Sequence, residues 1–537
     1  MSRRLFLQQL ARLSSLAALA AYPHSAWAGG AGGGAGTPKI GYPFLLGVAS
    51  GSPLPNGVVL WTRLIDSVKP DPLRAPPLPA VPFAVQWQVA HDEAFKQIVA
   101  QGQAQALPEL AHSVHVDVTG LLPGTWYFYR FMHGDAISPV GRTRTAPALD
   151  AINPGLKLAV ASCQHWEFGA YGAHRQIAHL NPDLVAFVGD YIYEWGPYHL
   201  QHPVEVTRSD ESTTLAEYRA RYAQYKTDPD LQASHLAAPW IVTWDDHEVS
   251  NDYANDRDYA LDPHFLQRRA AAYQAFYEHM PIRLPTLPAG ADRFAFLRIY
   301  QAYDWGQLAR FLVLDDRQYR SYEVCPKPGQ GGSNSVTKDC RERLNPKRTM
   351  LGAEQEAWLS RTLKQSNAQW NIITQQTIMA QNSQIPVKQP GNGRYWTDGW
   401  DGYPLARQAL LNQLQQSRAR NPLVLGGDVH TFYVSDLRPD FDRPVSKNNP
   451  VLATEFCGGS VTSTSRPQTR TEQYLRDNPH TMYGRSDKRG FMWLEINQQR
   501  AEMRCMTLED VSRADSTIEA LAKFGVQAGR HGVERLG

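Results

Sequence analysis

Short apolar runs that each stop at a residue able to bind a metal ion constrain this chain more than any other feature. Leu158-Ala159-Val160-Ala161 leads into Ser162-Cys163, and Leu184 to Val188 leads into Gly189-Asp190, with Tyr193 just beyond. Trp244 introduces Asp245-Asp246-His247-Glu248 and Asn251, while Leu423-Val424-Leu425 leads into Gly426-Gly427-Asp428-Val429-His430. Short apolar runs closed by turn formers read as buried strands. In an open α/β sheet, ligands bind beyond the carboxyl ends of the strands, so these side chains would meet in one crevice. Taken singly, an Asp or Asn after such a run is ordinarily a turn former or helix cap. Four ends that together carry Cys, Asp, Tyr, Asp, His, Asn, Asp and His are not explained that way, and the pattern reads as a metallohydrolase.

With 537 residues the chain exceeds one ordinary core and calls for two to four units. Residues 43–145 alternate in short strands, among them Gly57 to Thr62, Ala84 to Val89, Ser113 to Val118 and Thr125 to Phe131. No helical period intervenes, which suggests an all-β sandwich of fibronectin or immunoglobulin type. Residues 146–154 make a linker. From 155 to 510 strands alternate with amphipathic helices, with helices expected over Leu215 to Tyr225, Phe265 to His279, Ala353 to Gln365 and Leu405 to Arg418. The fold class is therefore α/β, a layered catalytic domain preceded by a small β-sandwich. The tail, 511–537, reads as one helix over Thr517 to Phe524 and a polar end.

Ser2-Arg3-Arg4-Leu5-Phe6-Leu7, a modestly apolar stretch from Leu10 to Ala21, and Ala26-Trp27-Ala28 read as a twin-arginine signal over residues 1–28. The apolar stretch is too short and mild to span a membrane. A glycine-rich tether, 29–42, follows. The reading places the protein in the periplasm or outside the cell, exported folded by the twin-arginine machinery, as a monomer. The signal holds three arginines and no acids, so its removal takes the formal charge from +2 to 2 − 3 = −1. A near-neutral charge gives no indication of a polyanion-binding surface, and nucleic acid is not an expected partner. Of five cysteines, Cys325 and Cys340 share a Gly/Pro/Ser/Lys-rich segment suited to a disulfide in an exported protein. Cys457 and Cys505 sit among apolar neighbours and read as small buried hydrophobes.

Thiolate and phenolate neutralise a highly charged ion, whereas carboxylate and amide oxygens suit hard divalent ions. Cys163 and Tyr193 point to ferric iron. Asp190 could bridge to a second ion, with Asp246, Asn251 and Asp428 offering oxygen to one or more divalent ions such as calcium. His430, two residues past Asp428 in an extended segment, would project to the same side as that carboxylate. A bridged pair lowers the pKa of bound water and clamps an in-line displacement at phosphorus. His247 could assist a leaving oxygen. Arg317 could hold phosphate at two points, or could instead pair with Asp315 or Asp316. Trp396, Trp400 and Tyr403, in a loop from Gly391 to Tyr403, could stack on a leaving group or simply pack.

The ordered set Ser162-Cys163-Gln164, Gly189-Asp190-Tyr191-Ile192-Tyr193-Glu194, Trp244-Asp245-Asp246-His247-Glu248, Leu314-Asp315-Asp316-Arg317-Gln318-Tyr319-Arg320, Trp400-Asp401-Gly402-Tyr403 and Gly427-Asp428-Val429-His430 resembles the PhoD family of alkaline phosphatases and phosphodiesterases. The resemblance spans essentially the whole chain after the signal. It implies a calcineurin-like metallophosphoesterase fold, two mixed sheets face to face between helices, holding Fe3+ with one or two Ca2+. By position, Cys163, Asp190, Tyr193 and His430 would hold iron, and Asp190, Asn251 and Asp428 calcium, with Asp246 either a ligand or an acceptor behind the ligands. Cys163 stands where the wider superfamily opens with Asp-x-His, and Asp245-Asp246-His247-Glu248 replaces Gly-Asn-His-Glu, which argues against transferring dizinc or dimanganese chemistry. The implied activity is hydrolysis of phosphomonoesters or phosphodiesters by hydroxide held on the metal, releasing phosphate. Alternatives are a phospholipase D-like or polymer-specific phosphodiesterase of the same family, or an exported binding or adhesion protein with an inactive phosphoesterase fold.

Overall fold

Alternation within the strands sets the architecture. Along Leu156–Ala161, Leu158 and Val160 face one side and Ala159 and Ala161 the other, and every one of them is buried. A strand that is apolar on both faces must lie between two covering layers. The computed structural model describes residues 40–66, 78–152, 154–198, 210–283, 293–389 and 392–537. It shows a ten-stranded sheet in the order Glu534–Arg535, Ile518–Gln527, Arg500–Leu508, Gly490–Ile496, Leu156–Ala161, Leu184–Val188, Trp240–Thr243, Val48–Leu54, Gly57–Arg63 and Ser113–Thr119. A seven-stranded sheet runs Gln301–Trp305, Ala309–Val313, Trp370–Thr374, Pro422–Gly426, Ala453–Cys457, Phe432–Leu437 and Thr481–Arg485. Each has a parallel centre, 156–161, 184–188 and 240–243 in the first and 309–313, 370–374, 422–426 and 453–457 in the second.

The two sheets bury a shared core, with Leu158, Val160, Ala186 and Val188 meeting Phe311, Ile372, Leu425 and Phe456. The outer face of the first sheet is covered by helices Gly172–His179, Leu215–Lys226, Pro229–Ala237 and Phe265–His279, through Ile177, Tyr222, Leu231 and Phe276. Gly352–Lys364 and Pro404–Ser417 cover the second sheet through Leu359, Leu363, Leu410 and Leu414. The result is the expected α/β class, helices outside two packed sheets. Helix Leu215–Lys226 starts at a capping box, Thr214 accepting from the Glu217 N–H while Glu217 accepts from the Thr214 N–H.

The N-terminal β unit has two layers. Its second is a sheet in the order Ile98–Ala106, Phe83–Ala90, Trp126–His133 and Ala136–Ile137, with Gly141–Arg144 also on Trp126–His133. Its first layer, 48–54, 57–63 and 113–119, continues the ten-stranded sheet, since Gly51 pairs in parallel with Trp240. The β unit and the helical layers are thus built on one sheet.

The tail departs from expectation. Ile518–Gln527 is a strand paired with Arg500–Leu508, not a helix. Ala522, Phe524 and Val526 alternate into the shared core, so burial across a ladder overrides the helical preference of the Ala, Leu, Glu and Lys around them. Cys325 and Cys340 form a disulfide, and Cys457 and Cys505 are free and buried. The signal reading, the tether up to Lys39, and Gly391 of the aromatic loop lie outside the described residues.

Candidate metal centre

Cys163, Asp190 and Asp428 sit just past the ends of strands Leu156–Ala161, Leu184–Val188 and Pro422–Gly426, where the chain turns sharply. Cys163, Asp190, Asp252, Asp428 and His430 all hold positive φ, between 53° and 64°. Non-glycine residues rarely adopt this region, and where they do the surrounding structure over-determines them. The turn before Asp190 needs a glycine. Gly189 has φ +103°, and a Cβ there would lie 2.4 Å from Asp245 Cβ and 2.9 Å from its backbone nitrogen. The close approach lets the second and third strand ends meet. Glu248 fixes them, accepting the N–H groups of Asp190 (3.2 Å), Tyr191 (2.5 Å) and Asp245 (2.8 Å) on one buried carboxylate.

The donors fall into overlapping groups whose atoms lie within 4.8 Å of one another. Cys163, Asp190 and His430 make one. Asp190 also belongs to a group with Asp246 and His247, Asp246 to one with Asp245 and Asp428, and Asp246 again to one with Asp252 and Asp398. Tyr193 closes the first, its hydroxyl donating to Asp190 Oδ2 at 2.9 Å and lying 3.1 Å from His430 Nε2. His430 Nδ1 is 2.7 Å from the Thr464 carbonyl. A carbonyl can only accept, so the proton is on Nδ1 and the Nε2 lone pair faces the donors.

Asp428 and His430 therefore serve different groups. The expectation that both project to one side of an extended segment is not met, because residues 428–430 form bends and both donors are left-handed. Asn251 is hung by its N–H on Glu194 Oε1 at 2.7 Å, while Glu194 Oε2 takes His247 Nδ1 at 2.7 Å. Tyr193 and Trp195 pack against the His247 ring, with centroids 4.2 and 4.3 Å away. Arg317 is fully buried and pairs with neither Asp315 nor Asp316 through its side chain. Its Nε donates to Asp245 (2.5 Å) and Nη1 to Asp398 (2.6 Å), leaving Nη2 3.8 Å from Asp246 and 3.7 Å from Asp428 without a hydrogen bond among the described residues. One uncommitted nitrogen replaces the expected two-point grip.

Electrostatics shows what the cluster lacks. Burial, then crowding by Asp246, Asp428 and Asp190, holds Asp245 well above the usual carboxylate range despite Arg317. Asp428 is raised by burial and then Asp398. Burial followed by Asp190 pushes the Cys163 thiol and the Tyr193 phenol far up. Asp246 goes the other way, burial being outweighed by Arg317 and His247. Oxygens Oδ1 of Asp190, Oδ2 of Asp245 and Oδ1 of Asp246 are buried with no hydrogen-bond partner among the described residues. Buried anionic donors without partners fit bound cations, which reverse these shifts. Asp252 and Asp398 carried no signal in the sequence, since neither follows an apolar strand. Of the aromatic trio, Trp400 and Tyr403 are buried, hydrogen-bonded to Gln375 and the Ser321 carbonyl, and only Trp396 is exposed.

Beside Asp428 and His430 opens a hollow of about 610 Å³. One of about 670 Å³ lies at the other end of the same strand, near Pro422 and Arg418, away from every donor.

Thiol, phenol, imidazole and carboxylates gathered at the strand ends of a two-sheet α/β core define a layered metallohydrolase. A family model described as PhoD-like phosphatase matches residues 158–505, and one described as PhoD-like phosphatase, N-terminal domain, matches 32–147. Alkaline phosphatase D of Bacillus subtilis (strain 168) is 42% identical over 510 residues, covering 92% of this chain and 82% of that protein. A solved structure of PhoD aligns with a TM-score of 0.86 at 40% identity, covering 93% of this chain and 94% of that one. The chain belongs to the PhoD-like phosphatase family and is a metal-dependent phosphoesterase.

Proposed function

We propose that the chain is an exported phosphoesterase that cleaves phosphomonoesters, phosphodiesters or both, with Fe3+ and Ca2+ at its centre. The observation that carries the metal reading is the sharing of Asp190. On one side it joins Cys163, Tyr193 and His430, anionic sulfur and oxygen with one imidazole. On the other it groups with Asp246 and His247, and Asp246 in turn joins Asp245 and Asp428, a cluster of hard carboxylates. Cys163, Asp190, Tyr193 and His430 suit iron, while Asp190, Asn251 and Asp428 suit calcium, and Asp246 with Asp252 and Asp398 suits a further calcium. Bound ions would supply an activated water and neutralise charge at phosphorus.

The chain's own residues do the rest. Arg317, pinned at two nitrogens, holds Nη2 ready for a phosphoryl oxygen. His247, locked through Nδ1 to Glu194, holds a proton for the leaving oxygen. The twin-arginine reading of residues 1–28 supports release to the periplasm or beyond, and no helix among the described residues is long and apolar enough to cross a membrane. We read the working protein as a monomer.

The test is elemental analysis of purified protein beside turnover on a panel of mono- and diesters. Iron and calcium are expected in the preparation, with a visible charge-transfer band that Tyr193→Phe shifts and activity that a calcium-selective chelator removes. A colourless, active enzyme containing zinc alone would sink the metal assignment. Protein without metal or turnover would favour the inactive binding fold.

A further inference from the structure

The hollow beside Asp428 and His430 continues away from the metal centre along residues 464–470. Its floor is tied to a metal donor, since Thr464 accepts from His430 Nδ1 and Ser465 Oγ lies 2.9 Å from Thr431 Oγ1. Arg466 and Arg470 line it, on either side of the start of helix Gln468–Asp477. Both are half-buried, and among the described residues neither meets a carboxylate. Arg466 makes one long hydrogen bond, Nη1 to the Tyr433 hydroxyl at 3.4 Å, and lies over the Tyr474 ring. Arg470 donates to the Tyr474 hydroxyl (3.2 Å) and Gln473 Oε1 (3.1 Å). Asp401, the other carboxylate at the hollow besides Asp428, is taken by Arg407 at 2.7 Å. Two half-buried guanidiniums with neutral partners thus line one cleft of about 610 Å³, an arrangement suited to an anion. The exposed face of Trp396 lines the same cleft.

We propose that Arg466 and Arg470 bind a second phosphate of the substrate, so that the preferred esters carry another phosphate beyond the one being cleaved. This rests on the phosphoesterase reading of the metal centre. Trp396, on the same cleft, would pack on the organic part of such a substrate. The shared chemistry is two phosphates at fixed separation, and the source is either a chain of phosphodiesters or a phosphoanhydride.

Calorimetry on the metal-loaded enzyme with alkane bisphosphonates of graded length tests this without turnover. At the best length, binding at least tenfold tighter than the matching monophosphonate is expected, and Arg466→Ala/Arg470→Ala should abolish the advantage. Equal binding of the two ligands, or an advantage that survives the double substitution, overturns the proposal. In turnover, the double variant should raise KM roughly tenfold for an ester with a second phosphate, leave kcat near wild type, and spare p-nitrophenyl phosphate. Equal losses on both substrates would assign the arginines to the reacting phosphoryl and overturn it. Arg466→Lys/Arg470→Lys, which keeps the charge, should recover part of the KM and guards against misfolding. Comparing a two-phosphate diester with ATP separates chain from anhydride. A wild type that turns over no ester would fail the phosphoesterase reading, and the calorimetric arm would still decide the anion site.

Discussion

At the residue scale the proposed roles divide the centre into side chains that hold charge and side chains that move a proton. Cys163 and Asp428 lie at left-handed strand ends, and with both as metal ligands, as proposed, replacing either by Ala removes a charge-neutralising donor. Metal content and activity should fall together in both variants, activity by about a hundredfold or more, as read by elemental analysis beside turnover. His247→Ala should behave differently. The ring is held by Glu194 and packed by Tyr193 and Trp195, so its loss should spare most of the metal while turnover drops by roughly two orders of magnitude. The drop should be larger for an alkyl phosphate than for p-nitrophenyl phosphate, whose leaving group needs little protonation. Equal drops would make His247 an electrostatic residue, and an unchanged rate would remove it from the mechanism. In the sequence each of these residues announced itself by ending an apolar strand. Asp252 and Asp398 lie in loops between elements, and only folding brings them to Asp246.

At the element scale, helix Leu215–Lys226 shows a charge that the mechanism does not use. Lys226 is fully buried in its last turn, Nζ 3.4 Å from His235 Nε2 and over the rings of Trp61 and Tyr191, at 4.3 and 5.2 Å. Burial pulls its pKa from the ordinary 10.5 down to about 7. Below pH 7 folded and unfolded chains both carry the proton, and the folded state bears the whole cost of the buried charge. Between about 7 and 10.5 the unfolded chain binds the extra proton, so this group makes stability rise with pH, and above 10.5 the effect is complete. Lys226→Met should therefore stabilise at pH 6, by on the order of 2–4 kcal/mol. The gain should shrink towards pH 10, as followed by the difference in Tm between variant and wild type. A constant difference across that range would mean that the ammonium is not the cause. The longer helices were legible in the sequence, Phe265–His279 to the residue, because a 3.6-residue period survives without partners, whereas the shorter Gly172–His179, Pro229–Ala237 and Gln468–Asp477 were not read there. The strand Ile518–Gln527 was not, because its alternation becomes decisive only beside Arg500–Leu508.

At the scale of the whole molecule, the β unit and the catalytic layers share one sheet, which composition could not reveal. The change of pattern near residue 146 looks like a domain boundary, yet Val48–Leu54 lies beside Trp240–Thr243, the strand that leads into Asp245 and Asp246. Further ties cross the same seam. Trp61 Nε1 donates to the Glu278 carbonyl at 2.9 Å, His115 stacks on Tyr277 with centroids 4.3 Å apart, and Arg283 binds Asp117 through two nitrogens at 2.8 Å each. Leu46, Ala49, Trp61, Ile65 and Ala223 form a small core of their own across it. Removing the residues before 148 would bare an apolar parallel strand as a sheet edge and empty that core, and such an edge invites pairing with other chains. A chain of residues 148–537 should thus be recovered mostly as aggregate, and its soluble part should hold substoichiometric metal, because Asp245 and Asp246 lose the support behind their strand. Adding residues 40–147 as a separate chain should rescue some of both, read by size-exclusion chromatography and metal content. A monomeric, fully metallated 148–537 fragment would show that the shared sheet is dispensable and that the β unit is an independent domain.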